Sequence, residues 1–216
     1  IYFVMKITTK TEAYNIVETS YLASLSSLLW VALYYLPIGG ALLRLILPLP
    51  IILLHLRRGT KIAIEGLIIQ FLLLFIIMGP VRGTLFLFPY GMLAFWLGWC
   101  WFKQKNWALS YYIGVGLGSL GFFLRVIALS TLVGDNLWVL ITRASYGLIN
   151  KFIDFFHLPF SPSISIIQLV AILLIIFQEM VYVLTIHIIS YSLFPRLKST
   201  IPDPPRILHD LVDLKF

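Results

Sequence analysis

The sequence predicts an all-α fold: a polytopic membrane bundle of about six transmembrane helices, both termini on the cytoplasmic or stromal side, with an additional amphipathic helix on the outer side. Three observations predict it. Of the 216 residues, 60% are hydrophobic and only 12% charged, and mean hydropathy is +0.97, a composition foreign to soluble domains of this size. Apolar runs near the roughly 20 residues that cross a hydrocarbon core recur from Thr19 almost to Phe194. The basic residues fall in the short segments between those runs, where they orient helices and meet anionic head groups.

With the N-terminus inside, eleven cations (Lys6, Lys10, Arg57, Arg58, Lys61, Lys103, Lys105, Arg196, Lys198, Arg206 and Lys215) lie on inner segments and five (Arg44, Arg82, Arg125, Arg143 and Lys151) on the outer half. That asymmetry orients the bundle. The net charge of +7 is therefore read as a membrane-surface feature, and no nucleic-acid partner is expected. Residues 1–18 form an inner-side segment, 19–194 the transmembrane domain and 195–216 an inner-side tail. The chain begins at Ile1 and its first residues hold no signal-type apolar run, so a preceding segment is expected.

Taken in order, the first span covers Thr19 to Leu36 and carries a small-residue face, Ala23 and Ser27 with Ser24 beside them, suited to packing against another helix in this chain or on a partner. Pro37, Gly39 and Gly40 end it. The second span, Leu42 to Leu56, is short, and Pro48 and Pro50 each remove a backbone donor, so it bends or partly unwinds. The third, Ile62 to Met78, places Glu65 near Arg57, Arg58 and Lys61 as a local charge partner. The fourth, Leu85 to Phe102, contains the single cysteine, Cys100, which reads as a buried apolar thiol. The fifth, Trp107 to Val133, holds Gly114, Gly116, Gly118 and Gly121, which allow close helix packing or backbone approach to a ligand. Between the fifth and sixth spans, at about 137–157, apolar and polar residues segregate at helical spacing, predicting the outer amphipathic helix, a lipid-surface element or a lid. The sixth span, Ile164 to Phe194, precedes the proline-rich tail.

Ionisable groups inside a membrane face a cavity, a partner or one another. Arg44, Arg82 and Arg125 fall near one level of the outer half, and their guanidiniums suit a carboxylate or phosphate. Arg82 taken alone reads as snorkelling to head groups, whereas Arg125, among Phe122, Phe123 and Leu124, lies deeper. Glu179, with Gln178 beside it and Tyr182 one turn on, sits mid-span, and Arg125 is its candidate partner, as a structural ion pair or as the opposite side of a polar site. His55 and His187 lack any ligand spacing and read as hydrogen-bonded packing residues rather than metal or haem ligands. No phosphate loop, nucleophile elbow or zinc-protease motif is present, so neither an enzyme nor a bound cofactor is expected.

The stretches "LPLPIILLHLRRGTKIAIEG", "MGPVRGTLFLFPYGMLAFWLGWCW" and "GDNLWVLITRA" resemble the YybS-like family of predicted membrane proteins, particularly its cyanobacterial and plastid-type members, over about Thr19 to Phe156. The succession of small-residue helix face, proline- and glycine-bearing outer loop, arginine, proline-punctuated helix and basic inner turn resembles, more loosely, the start of substrate-binding S components of energy-coupling-factor (ECF) transporters. That resemblance implies a bundle that captures a micronutrient at its outer face and docks onto a transmembrane coupling subunit bearing two ATPases. It implies Ala23 and Ser27 as the coupling face, with serine replacing the family's second alanine. It implies Pro37, Gly39 and Gly40 as the gate; the charge pattern, not the resemblance, puts Arg44, Arg82, Arg125, Glu179, Gln178 and Tyr182 at the solute site beneath it.

Three functions stay open on these grounds: capture of a small anionic or zwitterionic solute; a non-catalytic assembly subunit of a larger membrane complex; and an autonomous ion-coupled carrier. The carrier lacks paired halves with matching broken helices. A bacterial inner membrane and a plastid membrane fit the pattern equally.

Overall fold

The computed structural model describes residues 10–36, 39–157 and 162–205. Seven α-helices account for most of them: α1 (Lys10–Tyr35), α2 (Gly40–Ile46), α3 (Leu49–Phe86), α4 (Met92–Phe102), α5 (Trp107–Val133), α6 (Leu137–Phe155) and α7 (Ile164–Leu193). A π-turn, Leu87–Gly91, joins α3 to α4, and a 3₁₀ turn, Pro195–Leu197, follows α7. Among the described residues there is no strand. Among the described residues four stretches are long and apolar enough to cross a membrane: Glu12–Tyr35, Leu42–Phe102, Trp107–Val133 and Ile164–Leu193.

The 61 residues from Leu42 to Phe102 would reach roughly 90 Å as one straight helix, and they do not run straight. Gly59 (φ 81°, ψ 179°) and Gly79 (φ 84°, ψ 168°) interrupt α3 in a backbone region that is essentially open to glycine alone. At each the chain turns back on itself. Gly66 packs on Leu54 and Gly91 on Leu67, pairings that close around the two turns and make the legs antiparallel. At Gly83 a Cβ would lie 2.9 Å from the Phe75 backbone nitrogen, so the second turn is as tight as two helices allow.

Two of the sequence-based boundaries move. The first helix begins at Lys10, inside the segment read as an inner-side arm, because "TEAYNIVE" continues the helical pattern without a breaker. The fourth span is not one helix from Leu85: Pro89, which has no N–H to continue the ladder, interrupts it at the π-turn, and Phe88–Pro89 is a cis peptide. The start of the second span is kinked rather than unwound, since Leu47 (φ −52°) and Pro48 (φ −76°) keep helical dihedrals between α2 and α3.

Packing proceeds from α1 to α3, α3 to α4, α4 to α5 and α5 to α7, with α6 against α7. Two apolar cores result. The larger centres on Leu54, Leu97, Trp101, Trp107 and Ile186, and the smaller on Trp30, Leu47, Leu74, Phe86 and Tyr90. Outward-facing residues such as Ile76, Tyr112 and Ile164 stay exposed, as lipid-facing helices require. The small-residue face of α1 turns inward: Ala23 and Ser27 are buried, and Ser27 donates to the Ala23 carbonyl. It serves packing within this chain and is not available as a coupling surface.

Candidate functional site: a charged cavity between α2, α5 and α7

A cavity of about 320 Å³ opens beside the smaller core, lined by Arg44 and Leu45 of α2, Pro89 and Tyr90 of the π-turn, Phe122 and Arg125 of α5, and Gln178, Glu179, Val181, Tyr182 and Thr185 of α7. Five of the six residues expected to line a solute site therefore meet in one place. Arg82 does not: it is exposed on the Gly79 turn with its guanidinium 5.1 Å from the centre of the Tyr34 ring.

Local sequence explains how the walls form. Proline at position 48 leaves the carbonyl four residues earlier without its helical donor, and that carbonyl belongs to Arg44. Tyr182 takes it, its hydroxyl donating to the Arg44 oxygen at 2.9 Å, which ties α2 to α7 across the cavity. On α5 the glycine string lies under two of these lining residues. A side chain at Gly118 would collide with Glu179 Oε2, and one at Gly121 would lie 2.5 Å from Pro89 Cβ and 2.7 Å from its Cα. The string thus provides close packing, and the packing seats the carboxylate. Aromatic rings back one side of the cavity: Tyr90 lies edge-on to Tyr182 at 6.3 Å, and Trp30 behind them edge-on to Tyr90 at 5.5 Å.

Glu179 is 6% exposed, and among the described residues its Oε2 has no hydrogen-bond partner. Of the two arrangements expected for Glu179 and Arg125, the direct ion pair is not formed among the described residues, while both side chains border the one cavity; Arg125 places its guanidinium 6.0 Å from the centre of the Trp30 ring. The reason is axial offset. Glu179 sits level with Gly118, and Arg125, seven residues further along α5, begins roughly 10 Å away. Two cations and one carboxylate thus border the same space without neutralising one another.

The family of predicted membrane proteins termed DUF2232 matches residues 24–208. The chain belongs to that family. No curated protein and no solved structure matches it. For this DUF2232 protein the membrane assignment accordingly rests on family, composition and helix length together.

The remaining expected residues are not among those that line the cavity. Gly39 adopts a left-handed conformation (φ 86°) that leads into Gly40 at the start of α2, while Pro37 lies outside the described residues. His55 bonds Thr60 Oγ1 at 3.0 Å, and His187 bonds Ser110 Oγ at 2.8 Å and the Val183 carbonyl at 2.9 Å, so both act as packing residues on separate elements. Cys100 is buried and free.

Sequence reasoning missed Pro89 and Tyr90, although a proline inside an apolar run was signal enough for a break. It also chose the wrong partner for the basic turn. Glu65 is exposed, and Glu18 holds both arginines, Arg57 Nη1 at 2.6 Å and Arg58 Nε on the other carboxylate oxygen. Glu18 was hidden because its segment had not been read as helix.

Proposed function

We propose that this DUF2232 protein is the solute-capturing subunit of an importer of the energy-coupling-factor type, taking up a small charged molecule from the outer face. The observation that carries the reading is the cavity: about 320 Å³, with aromatic residues in its wall, bordered by two guanidiniums and a buried carboxylate that has no ion-pair partner among the described residues. Its size is at the lower end of small-molecule sites. Charges inside a membrane protein are retained where they face a cavity or a partner.

In this reading the three legs between Leu42 and Phe102 are three crossings, giving six in all. The ends rich in lysine and arginine face inward, so α2 and the Arg125 end of α5 lie toward the outer surface. Gly39 and Gly40 hinge α2, and the Tyr182 bond to the Arg44 carbonyl is the latch that opening would break. The likeness of the chain's first half to S components is what supports a coupling partner with two ATPases. Because Ala23 and Ser27 are buried, such a partner would contact another of the lipid-facing surfaces. The protein binds and presents its solute and hydrolyses nothing.

The test is purification of the tagged protein in mild detergent, with mass spectrometry of copurifying proteins and of small molecules released on denaturation. An enriched metabolite with a coupling-type subunit and an ATPase pair is the expected result. Stable partners of some other complex with no enriched small molecule would overturn it in favour of an assembly subunit.

A further inference from the structure

The capture reading leaves the chemical class of the ligand open, and the arrangement of charges narrows it. Resting on that reading, we propose that the cavity takes a zwitterion, an amine meeting the Glu179 carboxylate and a carboxylate or phosphate meeting the guanidiniums of Arg125 and Arg44.

The argument is one of unmet partners. Glu179 lies near the middle of the 30-residue α7, is 6% exposed, and keeps Oε2 without a donor. A buried carboxylate in that position gains most from a charged N–H donor, and among the described residues the chain supplies none. Arg125 and Arg44 likewise border the cavity without an acidic partner among the described residues. A purely anionic ligand would satisfy the arginines but set a second negative charge against Glu179. A purely cationic ligand would do the reverse. One molecule carrying both charges, spaced to bridge the axial offset between the Gly118 and Arg125 levels, satisfies all three groups at once.

The rim bears on where such a molecule comes from. Arg44 and Gln178 are exposed and Val181 is 49% exposed, so the cavity mouth lies on the flank of the bundle between α2 and α7. The zwitterion is then either a free amino acid or aminophosphate, or the head group of an amine-bearing phospholipid whose chains remain in the bilayer.

Binding would be measured on the full chain, stripped of lipid, with four probes: phosphoethanolamine, glycerol 3-phosphate, and nanodiscs of phosphatidylethanolamine or phosphatidylglycerol. Within a pair, the amine-bearing probe is expected to bind roughly tenfold or more tightly than its amine-free counterpart. Glu179→Gln should abolish that preference while leaving the melting temperature in place, and Arg125→Gln should weaken both members. Preference within the soluble pair identifies a free solute, and preference within the lipid pair a head group. Equal binding within both pairs, unchanged by Glu179→Gln, overturns the zwitterion while capture stands. So does a copurifying molecule that lacks either charge. No probe bound and no molecule copurified overturns capture itself, and the zwitterion with it.

Discussion

The two ends of the bundle use the same side chains for opposite purposes. At the basic end Glu18 is shared by Arg57 and Arg58, Arg57 also donates to the Leu197 carbonyl at 2.6 Å, and Trp107 Nε1 donates to the Pro202 carbonyl at 2.7 Å. The charges there are consumed in fastening α1, the Gly59 turn and the segment after α7 to one another. At the cavity end Arg44, Arg125 and Glu179 line one space, and Glu179 forms no ion pair among the described residues. Desolvating charge without a partner is costly, so an end that keeps its charges apart is built around something else. The cavity end is instead held by close packing: glycines 118 and 121, the π-turn and the aromatic wall.

The strongest way to break that contrast is to fill the packing. Gly121→Ala would set a Cβ 2.5 Å from Pro89 Cβ and 2.7 Å from Pro89 Cα, and the latter is backbone that cannot swing aside. Overpacking of this kind costs about 1–3 kcal/mol, so the variant should show the largest fall in melting temperature in detergent. An unchanged melting temperature would mean that packing does not hold this end together.

A smaller effect is expected at the basic end. Glu18→Gln removes the shared carboxylate, but Arg57 and Arg58 are 34% and 27% exposed, so the loss is screened to about 1 kcal/mol. The loss should shrink as salt is raised. Salt-independent destabilisation would show that Glu18 acts through packing rather than charge.

The contrast also separates what the sequence made legible from what it hid. Helix class, the fifth and sixth spans and the polar lining from Arg44 to Tyr182 follow from local rules: apolar length, proline and glycine punctuation, and the rarity of charge in a span. Those rules carry no information on depth or azimuth. They therefore paired Glu179 with Arg125, two charges that face the same cavity about two helical turns apart. They left open whether Ala23 and Ser27 meet a helix of this chain or of a partner, because a small-residue face reads the same in both cases, and only the S-component resemblance pointed to a partner. Pro89 was legible as a breaker, yet the turn it makes against Gly121 depends on tertiary approach.

Sign, rather than size, sharpens the comparison at Glu179. Because its Oε2 has no hydrogen-bond partner among the described residues, Glu179→Gln relieves a buried charge and should leave the melting temperature within about 0.5 kcal/mol equivalent of wild type or raise it. Glu18→Gln lowers it. A pronounced loss of stability at Glu179→Gln would instead reveal a structural carboxylate and remove the main reason for reading the cavity as a site.

The smallest effect is expected at Arg82, and it decides whether arginines count by proximity in sequence or by access to the cavity. Arg82 lies over Tyr34, outside the lining, in an exposed cation–π contact worth about 0.5–1 kcal/mol. Arg82→Gln should therefore cost a slight drop in melting temperature and leave ligand affinity within about twofold, while Arg125→Gln costs roughly tenfold or more for the loss of a charge-assisted contact. If Arg82→Gln weakened binding as much as Arg125→Gln, the anion would be held across the whole cavity end of the bundle, and the cavity between α2, α5 and α7 would be only part of its site.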